Sequence, residues 1–289
     1  MLMKKLRQVI AEIQSLDYPS RNQIEPLLWQ YICYSPKMPV RLQQQQLLDT
    51  AEMAVLKVTD EYFAQRELSF NTFRWGNSKY KILITHGWGS KAIDFSEIIM
   101  ALSQRGDFEI IAFDAPGNGS SEGELSNLLL YIQAVKAVIL KYGKPDVAIG
   151  HSLGAMANVI ALTEMEVQPS ILISLTPLLR LKENFEYSMT AIGISDLDQI
   201  NFLNSFQEKF GFPASKFTLN DYYHFGSDLN HWLAYDVNDQ ISPYSYLENF
   251  LELHPTIKAK NYADVGHDKV IKSPLVISDL IEQVMIALS

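Results

Sequence analysis

The chain has 289 residues, 47% of them hydrophobic and 20% charged, enough to bury a full core as one large domain or a domain plus an insertion, which argues against disorder. A formal charge of -9 speaks against a nucleic-acid surface, which needs clustered Lys and Arg. With one cysteine, Cys33, neither an internal disulfide framework nor a cysteine-based metal site can form within the chain, and a reducing compartment fits.

Residues 1 to about 35 predict two short helices broken near Tyr18-Pro19, with Leu6, Val9, Ile10 and Ile13 on one face and Leu27, Leu28, Tyr31 and Ile32 on the next. The basic start, Lys4, Lys5 and Arg7, is soon interrupted by Glu12 and Asp17, so it lacks the apolar core of a secretion signal and reads as an amphipathic helix. No stretch is long and apolar enough to span a bilayer, and a cytoplasmic protein is expected. No chemistry is legible in this segment; a helix packed on the main body is its simplest role. The glutamine run Gln43 to Gln46 lies in a helical pattern ending near Ala51, and residues 1–51 are set apart as an amino-terminal helical segment.

Alternation over Ala54 to Val58 and Glu67 to Trp75 predicts two strands at an antiparallel sheet edge. The rhythm then changes to strands separated by longer helical stretches: Lys81 to Thr85, a helix from about Ile93, Glu109 to Phe113, and a helix from about Ser126. Asp146 to Ile149, a helix after Ser152, and Ser170 to Leu175 continue it. Such alternation implies an α/β fold, a mostly parallel central sheet with helices on both faces, and ligands outside the carboxyl ends of the strands. Residues 176–230 break the pattern with Pro177, Gly193, Gly211 and Pro213 and are rich in aromatics, including Phe185, Phe206, Phe210 and Phe217. They are expected to form a helical cap whose aromatics mostly pack it onto the body while a minority line an apolar pocket. Strands at His231 to Tyr235 and Thr256 to Tyr262, a helix from Tyr244 and a closing helix over Val270 to Leu288 complete a core of residues 52–175 and 231–289.

The chemistry centres on Gly150-His151-Ser152-Leu153-Gly154, between the apolar run Val147-Ala148-Ile149 and a small-residue helical pattern. A strand, a Gly-x-Ser-x-Gly turn and a helix read as a nucleophile elbow, with glycines where side chains would collide and Ser152 in a strained conformation. The pentapeptide alone arises by chance in roughly one chain in ten of this length. Its meaning therefore depends on what surrounds it. Upstream, Ile82 to Thr85 runs into His86-Gly87-Trp88-Gly89, where the N–H of Trp88 could join that of Leu153 as an oxyanion hole, although such a segment can also be only a tight turn. Phe113-Asp114-Ala115-Pro116-Gly117-Asn118-Gly119-Ser120 is read as structural, with Asp114 bonding turn amides. Downstream stand Asp236 and Asp239 after one strand, and Gly266-His267 before the last helix. Serine needs a neutral imidazole within reach, and the imidazole needs an acceptor to fix its tautomer. Asp264 and Asp268 lie too close to His267 along the chain to serve; Asp236, directly after Tyr235, suits a turn cap. His86 and His151 flank turns and read as structural.

The five motifs His86 to Gly89, Phe113 to Ser121, Gly150 to Gly154, Asp236 to Pro243 and Gly266-His267 occur in the order found in α/β-hydrolases. From about residue 53 onward the chain resembles that superfamily, and in particular its bacterial cap-bearing serine hydrolases. Asn118 departs from the histidine common in that turn, which bears on local structure. The resemblance implies Ser152 as nucleophile, His267 as general base and acid, Asp239 as the carboxylate that orients it, and Trp88 and Leu153 as oxyanion donors. It implies an esterase-like cleavage of an ester, thioester or related acyl bond through an acyl-enzyme, with no cofactor or metal, on a small-molecule substrate with an apolar acyl part. Carbon–carbon bond hydrolysis or perhydrolysis on the same three residues, or a non-catalytic ligand receptor on the same fold, are the alternatives. Haloalkane dehalogenation is disfavoured because that branch has aspartate where this chain has Ser152. Substrate identity, pathway and oligomeric state are not legible.

Overall fold

A computed structural model describes residues 2–16, 23–105 and 108–289. The break expected near Tyr18-Pro19 lies outside the described residues. Helices α1 (Leu2–Ser15), α2 (Ile24–Cys33) and α3 (Leu42–Leu48) lead into strands β1 (Glu52–Asp60), β2 (Arg66–Trp75) and β3 (Tyr80–Thr85). Then follow α4 (Ser96–Ser103), β4 (Phe108–Phe113), α5 (Leu128–Tyr142), β5 (Val147–His151), α6 (Leu153–Glu164) and β6 (Ile171–Leu175). Helices α7 (Leu181–Ala191), α8 (Asp196–Phe210) and α9 (Leu219–Tyr222) are inserted before β7 (Asn230–Tyr235). The chain ends with α10 (Tyr244–Leu253), β8 (Lys258–Asn261), α11 (Gly266–Lys269) and α12 (Pro274–Leu288).

The strands form one eight-stranded sheet in the order β1-β2-β4-β3-β5-β6-β7-β8. β1 pairs with β2 and β2 with β4 antiparallel, and every later pair is parallel. Side chains alternate across a strand, so Leu83, Ile111 and Ala148 join the core layer beneath α5, α6 and the insertion, whereas Ile82, Ile84, Ile110 and Ile149 join the layer beneath α4 and α12. Strands covered on both faces have no polar side to show, which is why β4 and β5 are buried throughout.

One departure from the expected boundaries has an identifiable reason. The closing helix is not continuous: a single 3-10 turn, Val270–Lys272, is separated from α12 by Ser273 in an extended conformation, because Pro274 takes the first helical position and disfavours α torsions in the residue before it. The glutamine helix stops at Leu48, and Gln44 is buried with its amide donating to Ile93 O at 3.2 Å and Asp94 Oδ1 at 3.2 Å.

The amino-terminal segment is packed into the body. Val9, Ile13, Leu28, Trp29 and Ile32 belong to the same core layer as α5 and α6. Asn118 fixes its exit: it accepts a hydrogen bond from Ser35 Oγ and donates Nδ2–H to Pro116 O and Ser126 Oγ, both at 3.2 Å. The departure at this turn thus has a local structural use.

Candidate active site

Ser152 sits between the end of β5 and the start of α6 with φ 50° and ψ −120°, a conformation that a non-glycine residue keeps only when its surroundings impose it. The surroundings are tight. A Cβ on Gly154 would lie 2.4 Å from His86 O and 2.5 Å from Thr85 O, and one on Gly150 would lie 2.5 Å from Ala155 Cα. Only glycine lets α6 start this close to β3. Ser152 N–H donates to Leu175 O at 3.0 Å, tying the strained turn to the neighbouring strand.

Three loops at the carboxyl edge of the sheet bring Ser152, His267 and Asp239 together. Ser152 Oγ is 2.8 Å from His267 Nε2, and His267 Nδ1 is 2.7 Å from Asp239 Oδ2. Because a carboxylate only accepts, the pattern assigns Nδ1–H as the donor to Asp239 and leaves Nε2 to accept from the serine hydroxyl. Asp239 is buried and its other oxygen accepts the N–H groups of Ile241 at 2.8 Å and Ser242 at 3.0 Å. Burial alone would raise this carboxyl's pKa, but His267 and the two amides outweigh it and the net shift is downward. Asp236 plays a different part. Its Oδ1 accepts Asn238 N–H at 2.9 Å and its Oδ2 accepts Gly266 N–H at 2.7 Å, so it caps its own turn and pins the residue before His267. Neither Asp264 nor Asp268 bonds the imidazole.

The segment after β3 lies against the serine: a Cβ on Gly87 would come within 2.7 Å of His151 Nδ1 and 3.2 Å of Ser152 Cβ. Trp88 and Leu153 line the same cavity as Ser152. Leu153 is the first residue of α6, so its N–H is one of the donors that a helix start leaves without an intrahelical partner. His86 is locked by main-chain bonds, its Nε2 accepting Ala115 N–H at 3.0 Å and its Nδ1 donating to Gly87 O at 2.7 Å. Asp114 bonds the amides of Ala92 at 2.8 Å and Ser120 at 2.7 Å, the structural part its turn suggested.

Sequence reasoning undervalued His151. Its Nε2–H donates to the main-chain carbonyl of His267 at 2.9 Å, and Thr176 Oγ1–H donates to the same oxygen at 3.2 Å. Burial pushes the pKa of His151 down to about 3, so it stays neutral and acts as a fixed donor. His151, His267 and Asp268 also present ligand-capable atoms within 4.8 Å of one another. This donor set suits a cation poorly: both nitrogens of His267 and Nε2 of His151 are already in hydrogen bonds.

Beside the serine lies a cavity of about 440 Å³. The insertion contributes Phe185, Tyr187, Phe206, Phe210 and Phe217 to its walls, so half of the insertion's ten aromatics line it and not only a minority. Leu6, Tyr31, Ile32, Cys33, Tyr34 and Pro36 line it too. No sequence signal marked that second group, because an apolar helix face says that something covers it and not what.

A family model described as the alpha/beta hydrolase family matches residues 82–280, well over half of the chain. The chain belongs to the α/β-hydrolase family, and that membership supports hydrolase activity. Among solved structures it is similar to an esterase of Pyrococcus furiosus, at 17% identity and TM-score 0.60 over 89% of this chain and 97% of that one. It is also similar to a thermophilic esterase from Thermogutta terrifontis with malate bound, at 16% identity and TM-score 0.56 over 82% and 100%. A third is Est1E from Butyrivibrio proteoclasticus with ferulic acid bound, at 16% identity and TM-score 0.60 over 76% and 96%. At such identities the likeness is one of fold. No curated protein matches the chain by sequence. Among the described residues no helix is long and apolar enough to cross a membrane.

Proposed function

We propose that the protein is a serine hydrolase that cleaves an ester, thioester or related acyl bond through an acyl-enzyme. The observation that carries this reading is the continuous array Asp239 Oδ2, His267 Nδ1, His267 Nε2, Ser152 Oγ, with steps of 2.7 and 2.8 Å, opening on an apolar cavity. Ser152 Oγ attacks the substrate carbonyl as its proton passes to His267 Nε2. Asp239 holds the imidazole in the required tautomer and offsets the charge that forms on it. The N–H groups of Trp88 and Leu153, with the positive end of α6, take the developing oxyanion. His267 then returns the proton to the leaving group, and a water activated by the same imidazole releases the acid. In this reading the three side chains and two amides suffice without a cofactor.

The test is labelling with a fluorophosphonate probe followed by turnover of p-nitrophenyl esters. Wild type is expected to label and turn over, and Ser152→Ala to do neither while melting near wild type, since the change removes bulk at a strained turn without opening a core cavity. An adduct mapped by mass spectrometry to any residue other than Ser152 refutes the assignment. Labelling without ester turnover would favour carbon–carbon bond hydrolysis or perhydrolysis.

A further inference from the structure

We propose that the amino-terminal segment forms one wall of the acyl pocket, and that the pocket selects an uncharged, apolar acyl chain of about eight to ten carbons. The inference rests on Ser152 being the residue acylated.

The wall is built from α1 and α2, with Leu6, Tyr31, Ile32 and Cys33 facing the same cavity as Ser152 and His267. Its attachment is firm on three sides. Trp29 of α2 packs against Phe202, Phe206 and Phe210 of α8, with ring centroids 4.8, 6.1 and 6.0 Å apart. Tyr31 donates its hydroxyl to Ser188 O of α7 at 2.9 Å. Ser126 N–H, just before α5, donates to Cys33 O at 2.8 Å. The insertion and the amino-terminal helices therefore close the cavity as one body.

The lining sets the chemistry of the occupant. Among the described residues no Lys or Arg lines the cavity, and the one carboxylate that does, Asp268, is the neighbour of His267. A charged acyl terminus would be buried there without a partner, which excludes short dicarboxylic and amino-acyl groups. Burial raises the pKa of the Cys33 thiol, so this side chain behaves as a small apolar group. A cavity of about 440 Å³ has room for roughly fifteen non-hydrogen atoms at about 30 Å³ each. With the carbonyl oxygen and about four or five leaving-group atoms counted, about eight to ten chain carbons remain.

The experiment measures kcat/KM for p-nitrophenyl acetate, butanoate, octanoate and hexadecanoate with wild type, Leu6→Trp and Leu6→Ala. In wild type each added methylene should raise kcat/KM by up to about fourfold until the cavity is filled, with hexadecanoate falling back. Leu6→Trp fills the wall and should lower the octanoate-to-acetate ratio about tenfold or more; Leu6→Ala, which opens it, should raise the hexadecanoate-to-octanoate ratio. A second arm, independent of turnover, measures decanoate binding by calorimetry to Ser152→Ala with and without Leu6→Trp, and expects binding to weaken about tenfold. Ratios and decanoate affinity that ignore both substitutions at Leu6 overturn the proposal. If no ester turns over and no probe labels, the acyl-enzyme reading fails while the decanoate arm still decides whether the segment walls the pocket.

Discussion

The two buried aspartates after β7 make a sharp experiment because asparagine acts differently at each. At Asp239, Oδ1 accepts two main-chain N–H groups, from Ile241 and Ser242, and Oδ2 faces His267. In Asp239→Asn those two amides hold the side-chain carbonyl, so the NH2 must point at His267 Nδ1. An amide there donates, which forces Nδ1 to accept and moves the imidazole proton to Nε2, where it confronts Ser152 Oγ. The serine loses its base with the fold intact, and kcat should fall by roughly 10³ to 10⁴ with KM little changed. At Asp236 each oxygen accepts one amide, from Asn238 and Gly266. Either orientation of asparagine leaves one buried N–H facing an NH2, a cost of about 1 to 3 kcal/mol, or a melting point lower by several degrees. The affected amide at Gly266 adjoins His267, so kcat should drop too, but by less than roughly tenfold, the equivalent of a single hydrogen bond. Steady-state kinetics and calorimetric melts on both variants check this. The reasoning is refuted if Asp239→Asn keeps kcat within tenfold of wild type, or if Asp236→Asn is the inactive one.

Two further outcomes follow from the buried histidines. His151→Ala removes one of the two donors on His267 O and should lower kcat by about tenfold with KM little affected, while His151→Gln, which keeps a donor, should recover part of the loss; equal kinetics in both variants would mean that the bond does not position His267. Acid should weaken the fold before it titrates the carboxylates, because burial holds both His151 and His231 near 3, below the ordinary value of about 6.5. Between those values the unfolded chain binds protons that the folded one refuses, so stability is lost as pH falls below about 6.5, at up to about 1.4 kcal/mol per pH unit for each histidine. A melting temperature that stays level from pH 7 down to pH 5 would contradict this.

What was legible in the sequence follows from how local each signal is. The buried strands announce themselves because a strand covered on both faces is apolar along most of its length, as in Phe108–Phe113, where the one charged residue, Glu109, is paired with Arg74; the elbow does so because its turn tolerates only glycine at 150 and 154. The choice between Asp236 and Asp239 was not a local matter: both are buried acids on one loop, and only the placement of Gly266 and His267 separates the cap from the residue bonded to the imidazole. The same holds for α2. Tyr31 and Ile32 read as part of one more apolar helix face, and their place on the cavity depends on α7 and α8, about 150 residues or more later in the chain. His151 reads as structural because it flanks a turn, and its bond to the His267 carbonyl is not foreseen because a main-chain partner carries no side-chain signature.

The site also shows how a strained geometry is kept in place. Of the five non-glycine residues with positive φ among the described residues, three lie in the segments that meet here: Ser152 after β5, Thr176 after β6 and Asp264 ahead of His267. Each costs of order 1 to 3 kcal/mol, most for a β-branched residue such as Thr176 at φ 39°. None is left to local preference. Ser152 N–H is held by Leu175 O and Thr176 N–H by Ala234 O at 2.8 Å, so each strained turn hangs on the next parallel strand. Thr176 then donates its hydroxyl to His267 O, and Asp236 holds Gly266, two residues past Asp264. The strain is thus carried by β5, β6 and β7, whose burial between two apolar layers supplies the stability that the turns give up. Ser152, His267 and Asp239 are in register because those strands are, and a substitution that shifts β6 against β7 will disturb the array even where it touches none of the three.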